Sequence, residues 1–153
     1  AKRIKGSTVT AIDKSKGAID LAQQNAKLNQ LPNVELLELD ILNTDYFKGI
    51  EFDMIVSNPP YITQSESGTM RSNVLDHEPA MALFVLDDNA LIFYQRINEM
   101  AKTNLKSKGT VYVEINEKLG EETAAIFDKN VFSSVELMKD MFGKNRFIKA
   151  VRS

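Results

Sequence analysis

Cysteine is absent from this chain, which removes disulfides and thiolate metal sites at once. A single histidine, His77, leaves nothing from which to build a histidine-rich metal centre. No apolar run approaches the ~18 residues that a membrane span needs. The opening residues, Ala1 to Gly6, hold no apolar stretch of the kind a secretory signal uses. Excess positive charge is lacking too: 19 Lys and Arg stand against 21 Asp and Glu, for a net charge of −2. Duplex-binding domains carry a basic surface. The balance argues against strong nucleic-acid binding by this chain alone, though it leaves room for a local basic patch. There is no internal repeat and no low-complexity tract. What remains is an ordinary globular composition of 153 residues, 43% apolar and 26% charged, enough for one domain with a sizeable core.

The chain then reads as an alternation. Residues 1–5 have the look of a last helical turn, with Gly6 as its stop. Thr8 to Ile12 is an apolar strand ending at Asp13. Ser15 is an N-cap candidate for a helix running to about Asn29, with Ala18, Leu21, Ala22 and Leu28 at helical spacing. After the Pro32-Asn33 break, Val34 to Leu39 forms a second strand that ends at Asp40. Thr44 to Lys48 is a turn or short helical piece, and Phe52 to Ser57 a third strand. Residues 62–88 show no clean period and are the longest irregular stretch; such segments are usually functional or mobile. Asn89 to Lys106 is a helix with Leu91, Tyr94, Ile97, Ala101 and Leu105 on one side. Gly109 precedes a strand over 110–115, and Leu119 to Lys129 is another amphipathic helix. Two strands, Val131 to Met138 and Phe147 to Val151, close the chain as a hairpin. Strands alternating with helices imply an open, mainly parallel α/β sheet, and the hairpin adds one antiparallel strand near its edge.

Asn58-Pro59-Pro60-Tyr61 is the feature that the rest is organised around. It follows a short apolar strand directly. Proline fixes φ and has no backbone N–H, and Pro59 keeps Asn58 out of the helical region. The corner is therefore stiff, with a carboxamide at one end and an aromatic ring at the other. That equipment suits a planar –NH2 group. The plainer alternative is a turn that merely ends a strand.

In open α/β sheets, ligands sit at the carboxyl ends of strands. Asp13, Asp40 and Asn58 each occupy such an end. Any one of them could be a helix cap or an Asx turn; their joint occurrence carries the inference. The two carboxylate oxygens of Asp13 match the vicinal hydroxyls of a ribose. Asp40 could take a donor such as an adenine amino group, and Ile41 could pack on the flat face of the base.

These stretches resemble a known family. Val9 to Ser15, Glu38-Leu39-Asp40 and Asn58 to Ile62 look like successive motifs of class I S-adenosylmethionine-dependent methyltransferases. The Asn-Pro-Pro-Tyr corner narrows this to enzymes that methylate a planar nitrogen. Glu78-Pro79-Ala80-Met81-Ala82-Leu83, Leu91 with Tyr94, and Gly109 to Ile115 are similar to the HemK/PrmC family. That resemblance covers essentially the whole chain. It implies a Rossmann-like fold, S-adenosyl-L-methionine as cofactor and a cytoplasmic location. It also implies methylation of the N5 side-chain nitrogen of the glutamine in the Gly-Gly-Gln motif of peptide-chain release factors. No stable nucleic-acid or membrane partner is implied.

The resemblance assigns Asp13, Asp40, Ile41 and Asn58 to the cofactor, and Asn58, Pro59, Pro60, Tyr61 and Glu78 to the substrate. Asn58, Pro59 and Tyr61 are its catalytic residues. The Asn58 side-chain oxygen and the Pro59 carbonyl each accept an N–H of the substrate amide, and Tyr61 packs on its plane. No residue is assigned as general base. His77 is expected on a loop or the surface, and Asp140 and Arg146 as partners within the last hairpin. The sequence departs from the family pattern at His77, where an aromatic is usual, and over 84–89, where glycines are common.

A third departure concerns the first strand and its glycine-rich loop, expected before Ala1. On this reading, 1–153 is a single, truncated catalytic domain. The absent strand would lie between those ending at Asp13 and Asn58, and two unpaired edges would invite oligomers or aggregates. The isolated chain is then expected to bind cofactor weakly, which calorimetric titration checks, and to self-associate, which light scattering checks. Two other readings stand beside the glutamine one. The first is a nucleic-acid N-methyltransferase acting on adenine N6 or guanine N2; the second is a cofactor-deficient fragment without activity of its own.

Overall fold

A computed structural model describes residues 1–63, 84–85 and 89–153. They fall into two compact units, residues 1–46 and 47–153.

The first unit is one β-α-β repeat. Strand β1 (Val9–Asp13) leads through helix α1 (Lys16–Leu28) to strand β2 (Val34–Glu38), and the two strands pair in parallel, Val9 opposite Val34 and Asp13 opposite Glu38. A parallel pair needs a crossover, and the helix supplies it. Ser15 is extended, and its hydroxyl accepts the Ala18 N–H at 3.3 Å, so the cap read from the sequence is present. Asn33 Nδ2 donates to the Ser7 carbonyl and closes the bottom of the pair. Residues 1–5 are irregular rather than helical. A lone turn fixes several residues for few hydrogen bonds, while Gly6, at φ +78°, takes the left-handed conformation expected of a stop.

The second unit is built on a four-stranded sheet in the order β3-β6-β8-β7, with β3 at Phe52–Ser57, β6 at Leu105–Glu114, β7 at Phe132–Lys139 and β8 at Asn145–Arg152. β3 runs parallel to β6, while β8 is antiparallel to both β6 and β7. The antiparallel strand is thus next to the edge, with β7 outermost. Among the described residues, β1 pairs only with β2, and β3 only with β6. A separate parallel pair, β4 (Ile62–Thr63) with β5 (Phe84–Val85), lies inside the stretch that shows no period in the sequence. Two-residue strands are too short for periodicity to register.

Helix α2 (Ile92–Asn104) packs on β6. Its buried side carries Tyr94, Ile97 and Ala101, and Leu105 continues it, as the spacing predicts. The rest of the core comes from Val111 and Val113 of β6, Ile115 just past it, and Ile148 and Ala150 of β8, all at most 1% exposed. Asn104 is buried at the end of this helix. Its amide donates to the carbonyls of Phe47 (2.5 Å) and Ile50 (2.7 Å), which fixes the approach to β3. After β6 a 3-10 turn (Glu117–Leu119) runs into helix α3 (Gly120–Ile126), shorter than the 119–129 helix expected.

β6 starts five residues earlier than the sequence suggests. Leu105 pairs with Phe52, the register shifts between Phe52 and Met54, and pairing resumes at Met54 and Thr110. Lys108, at φ +65°, absorbs the irregularity. A Cβ on Gly109 would lie 2.8 Å from the Lys106 carbonyl, so glycine is needed within the strand, not ahead of it.

Candidate active site

In the first unit, Asp13 closes β1, Asp40 lies just past the Glu38 end of β2, and the Leu39 N–H bonds to the Asp13 carbonyl at 3.0 Å. Asp13 is exposed. Its Oδ1 accepts the Ser15 N–H at 2.7 Å, an Asx turn that leads into α1. Its Oδ2 takes no hydrogen bond from any described residue. Asp13 thus stands at the carboxyl end of β1, with Oδ1 committed to the start of α1.

Asp40 is more heavily engaged. Oδ1 accepts the Leu42 N–H at 3.0 Å, and Oδ2 meets Asn43 Nδ2 at 3.0 Å and Lys14 Nζ at 2.9 Å. The Lys14 ammonium leads the causes that hold this carboxyl below the usual carboxylate range, against a smaller opposing effect of burial. A depressed folded-state value means that the pairing stabilises the unit at neutral pH. That contribution is lost as pH falls through the folded value. Carboxyl-carbon NMR is expected to show Asp40 titrating below an ordinary aspartate, and Lys14→Ala is expected to raise its midpoint; an unmoved midpoint contradicts this. An adenine amino group would have to share Asp40 with Lys14. Ile41 beside it is half-buried.

In the second unit, β3 ends at Ser57 and the corner follows at once. Asn58 is exposed, Pro59 is buried, and Pro60 and Tyr61 are half-buried. No described residue bonds to the Asn58 carboxamide. Pro59 sits inward as the stiff base of the turn, and the Asn58 carboxamide is left at the surface.

Tyr61 is held twice. Its hydroxyl donates to Glu114 Oε1 at 3.1 Å, and its carbonyl accepts Asn116 Nδ2 at 3.2 Å. Burial first, then the Glu114 charge, raises the Tyr61 hydroxyl pKa, with Arg146 opposing. Tyr94 of α2 donates to the Glu114 carbonyl at 3.1 Å. Within the last hairpin, Arg146 Nε lies 3.4 Å from Asp140 Oδ2. Asp140 Oδ1 also accepts the N–H groups of Phe142 and Lys144, at 2.9 and 3.1 Å.

The sequence reading gave Glu114 and Asn116 no part in the site. A glutamate and an asparagine at the end of a strand beside β3 were the available signal. Glu78, expected at the substrate, lies outside the described residues, as does His77. Among the described residues no cluster of His, Asp and Glu could hold a metal ion. No described helix is long and apolar enough to cross a membrane.

A family model described as a methyltransferase domain matches residues 1–146. This chain belongs to the methyltransferase domain family. The domain is 44% identical over 149 residues to a protein of Flavobacterium psychrophilum named release factor glutamine methyltransferase, covering 97% of this chain and 52% of that one. A protein of the same name from Bacteroides thetaiotaomicron is 38% identical over 151 residues, covering 99% of this chain and 54% of its own length. The domain thus spans about half the length of these curated relatives. In fold it is similar to a solved methyltransferase from Pyrococcus furiosus, at TM-score 0.67 and 22% identity, covering 98% of this chain and 65% of that one.

Proposed function

We propose that both units belong to one catalytic domain of a cytoplasmic, S-adenosyl-L-methionine-dependent protein methyltransferase. Its substrate is the Gly-Gly-Gln glutamine of peptide-chain release factors, methylated at N5. The observation that carries this reading is the corner itself: an exposed Asn58 carboxamide, bonded to no described residue, on a buried Pro59, beside a Tyr61 bonded at its hydroxyl and its carbonyl. The names of the relatives support the choice of substrate.

The cofactor, when bound, supplies an electrophilic sulfonium methyl group. The chain's own residues handle the acceptor. An amide nitrogen is a poor nucleophile because its lone pair is delocalised into the carbonyl. Asn58 Oδ1 and the Pro59 carbonyl accept its two N–H groups, orient the nitrogen and stabilise the positive charge that it develops. The Tyr61 ring lies along the amide plane. On the donor side Asp13 would hold ribose hydroxyls, and Asp40 and Ile41 would take the adenine. Glu78 contributes to the substrate side.

The test supplies radiolabelled S-adenosylmethionine with a release factor or with adenine-containing DNA and RNA. Label on the release factor, lost when its Gly-Gly-Gln glutamine is replaced, is the expected result. Transfer to nucleic acid alone would overturn the proposal.

A further inference from the structure

Tyr61 and Glu114 are far apart in sequence and meet through the pairing of β3 with β6. Ser57 stands opposite Val113 in that register, which carries the next residues, Asn58 and Glu114, to the same end of the two strands. Each attachment of Tyr61 then comes from the β6 side: its hydroxyl to Glu114 Oε1 and its carbonyl to the Asn116 amide. Glu114 is itself fixed from two directions. The Tyr94 hydroxyl bonds its carbonyl from the helix side. From the other side β8 pairs with β6, Phe147 opposite Glu114, and the Ile115 N–H bonds the Arg146 carbonyl at 3.0 Å. The Arg146 guanidinium interacts electrostatically with both Glu114 and Tyr61. Asp140 in turn holds its Nε. Two bonded pairs therefore stand here, Asp140 with Arg146 in the hairpin and Glu114 with Tyr61 at the corner.

A tyrosine that only needed burial would not require this. A ring bonded at its hydroxyl, with its own carbonyl bonded as well, has little torsional freedom left. The entropy of ordering the ring is lost on folding, not when substrate arrives. We infer that Glu114 is a positioning residue for the acceptor corner: its carboxylate fixes the Tyr61 ring and through it the segment from Asn58 to Tyr61. This rests on the corner being the amide-binding site, as proposed above.

Two measurements on the full chain test it. With tyrosine labelled at Cζ, the resonance of Tyr61 is assigned through Tyr61→Phe. In Glu114→Ala the Tyr61 signal is expected to move and broaden, while those of Tyr46 and Tyr112 stay. In Glu114→Gln, whose amide oxygen still accepts the hydroxyl, Tyr61 is expected to remain close to wild type. An unchanged Tyr61 signal in Glu114→Ala overturns the inference. In methyl transfer to a release factor, Glu114→Ala is expected to lower kcat about tenfold with KM changed less than about twofold, and Glu114→Gln to recover most of the loss. An unaltered kcat in Glu114→Ala also overturns it. If wild-type protein shown by titration to hold cofactor failed to methylate a release factor, the functional proposal would fall instead, and the Tyr61 signal would still decide whether Glu114 holds the ring.

Discussion

Replacing Asn58 with alanine is expected to slow methyl transfer to a release-factor glutamine by about 100- to 1000-fold, or about 2.7–4 kcal/mol of transition-state stabilisation. The size follows from the proposed role. One of two acceptors for the substrate amide is lost, and with it the group placed where positive charge develops on the nitrogen. The fold has no comparable stake, because Asn58 is exposed and its carboxamide bonds to no described residue. Circular dichroism and thermal unfolding of Asn58→Ala should therefore match wild type. Asn58→Gln keeps the chemical group but shifts it by one methylene. Misplacement by about 1 Å can itself cost about 100-fold, so the glutamine variant is expected to fall almost as far. Initial rates at saturating release factor decide the matter. Rates within about threefold of wild type for Asn58→Ala would mean that the corner does not handle the reacting amide.

The second large effect is on stability. Phe132→Ala is expected to cost about 3–5 kcal/mol, the usual penalty for deleting a buried ring. Phe132 opens β7 and is 1% exposed. Its ring meets that of Phe127, at the end of α3, edge to face at 5.6 Å and 75°. Its N–H and that of Val131 both bond the Asp128 carbonyl at 2.9 Å, so the turn before β7 closes around the same pair of rings. Alanine leaves a cavity between helix and sheet that the paired strands cannot collapse to fill. A loss of this size is a large share of the ~5–15 kcal/mol that holds a typical domain together. Urea denaturation followed by circular dichroism measures it; a shift worth less than about 1 kcal/mol would show that the site relaxes or that the ring is not part of the core. Phe132→Leu, which keeps most of the volume, should cost much less.

Much of the fold is legible in the sequence because the signals are local. β3 occupies 52–57 as read, since an apolar run bounded by Glu51 and the Asn58-Pro59 break leaves little choice. α1 begins behind its Ser15 cap, and the inner side of α2 is the one its spacing marks. The misreadings lie where a partner elsewhere in the chain decides. Gly109 looks like a stop before a strand, yet β6 passes through it, because Leu105 is drawn into register with Phe52. The helix expected from Asn89 starts at Ile92, behind Leu91, which offers no side-chain cap. Propensity could not have placed that start. The two-residue pair β4 and β5 exists only through its mutual hydrogen bonds.

The same division runs through the candidate site. The sequence by itself determined the chemical equipment: carboxylates at the ends of β1 and β2, and a rigid Asn-Pro-Pro-Tyr corner after β3. These depend on residue type and on strand ends, which local patterns reveal. Only the tertiary structure decided how each group is engaged. It gives Asp40 to Lys14 and sets one oxygen of Asp13 to hold the turn into α1. It buries Pro59 and exposes Asn58. It also ties Tyr61 to Glu114, 53 residues away. A hydrogen bond across that separation depends on strand order and register. Those are set by the packing of the whole sheet, and no local stretch of the chain encodes them.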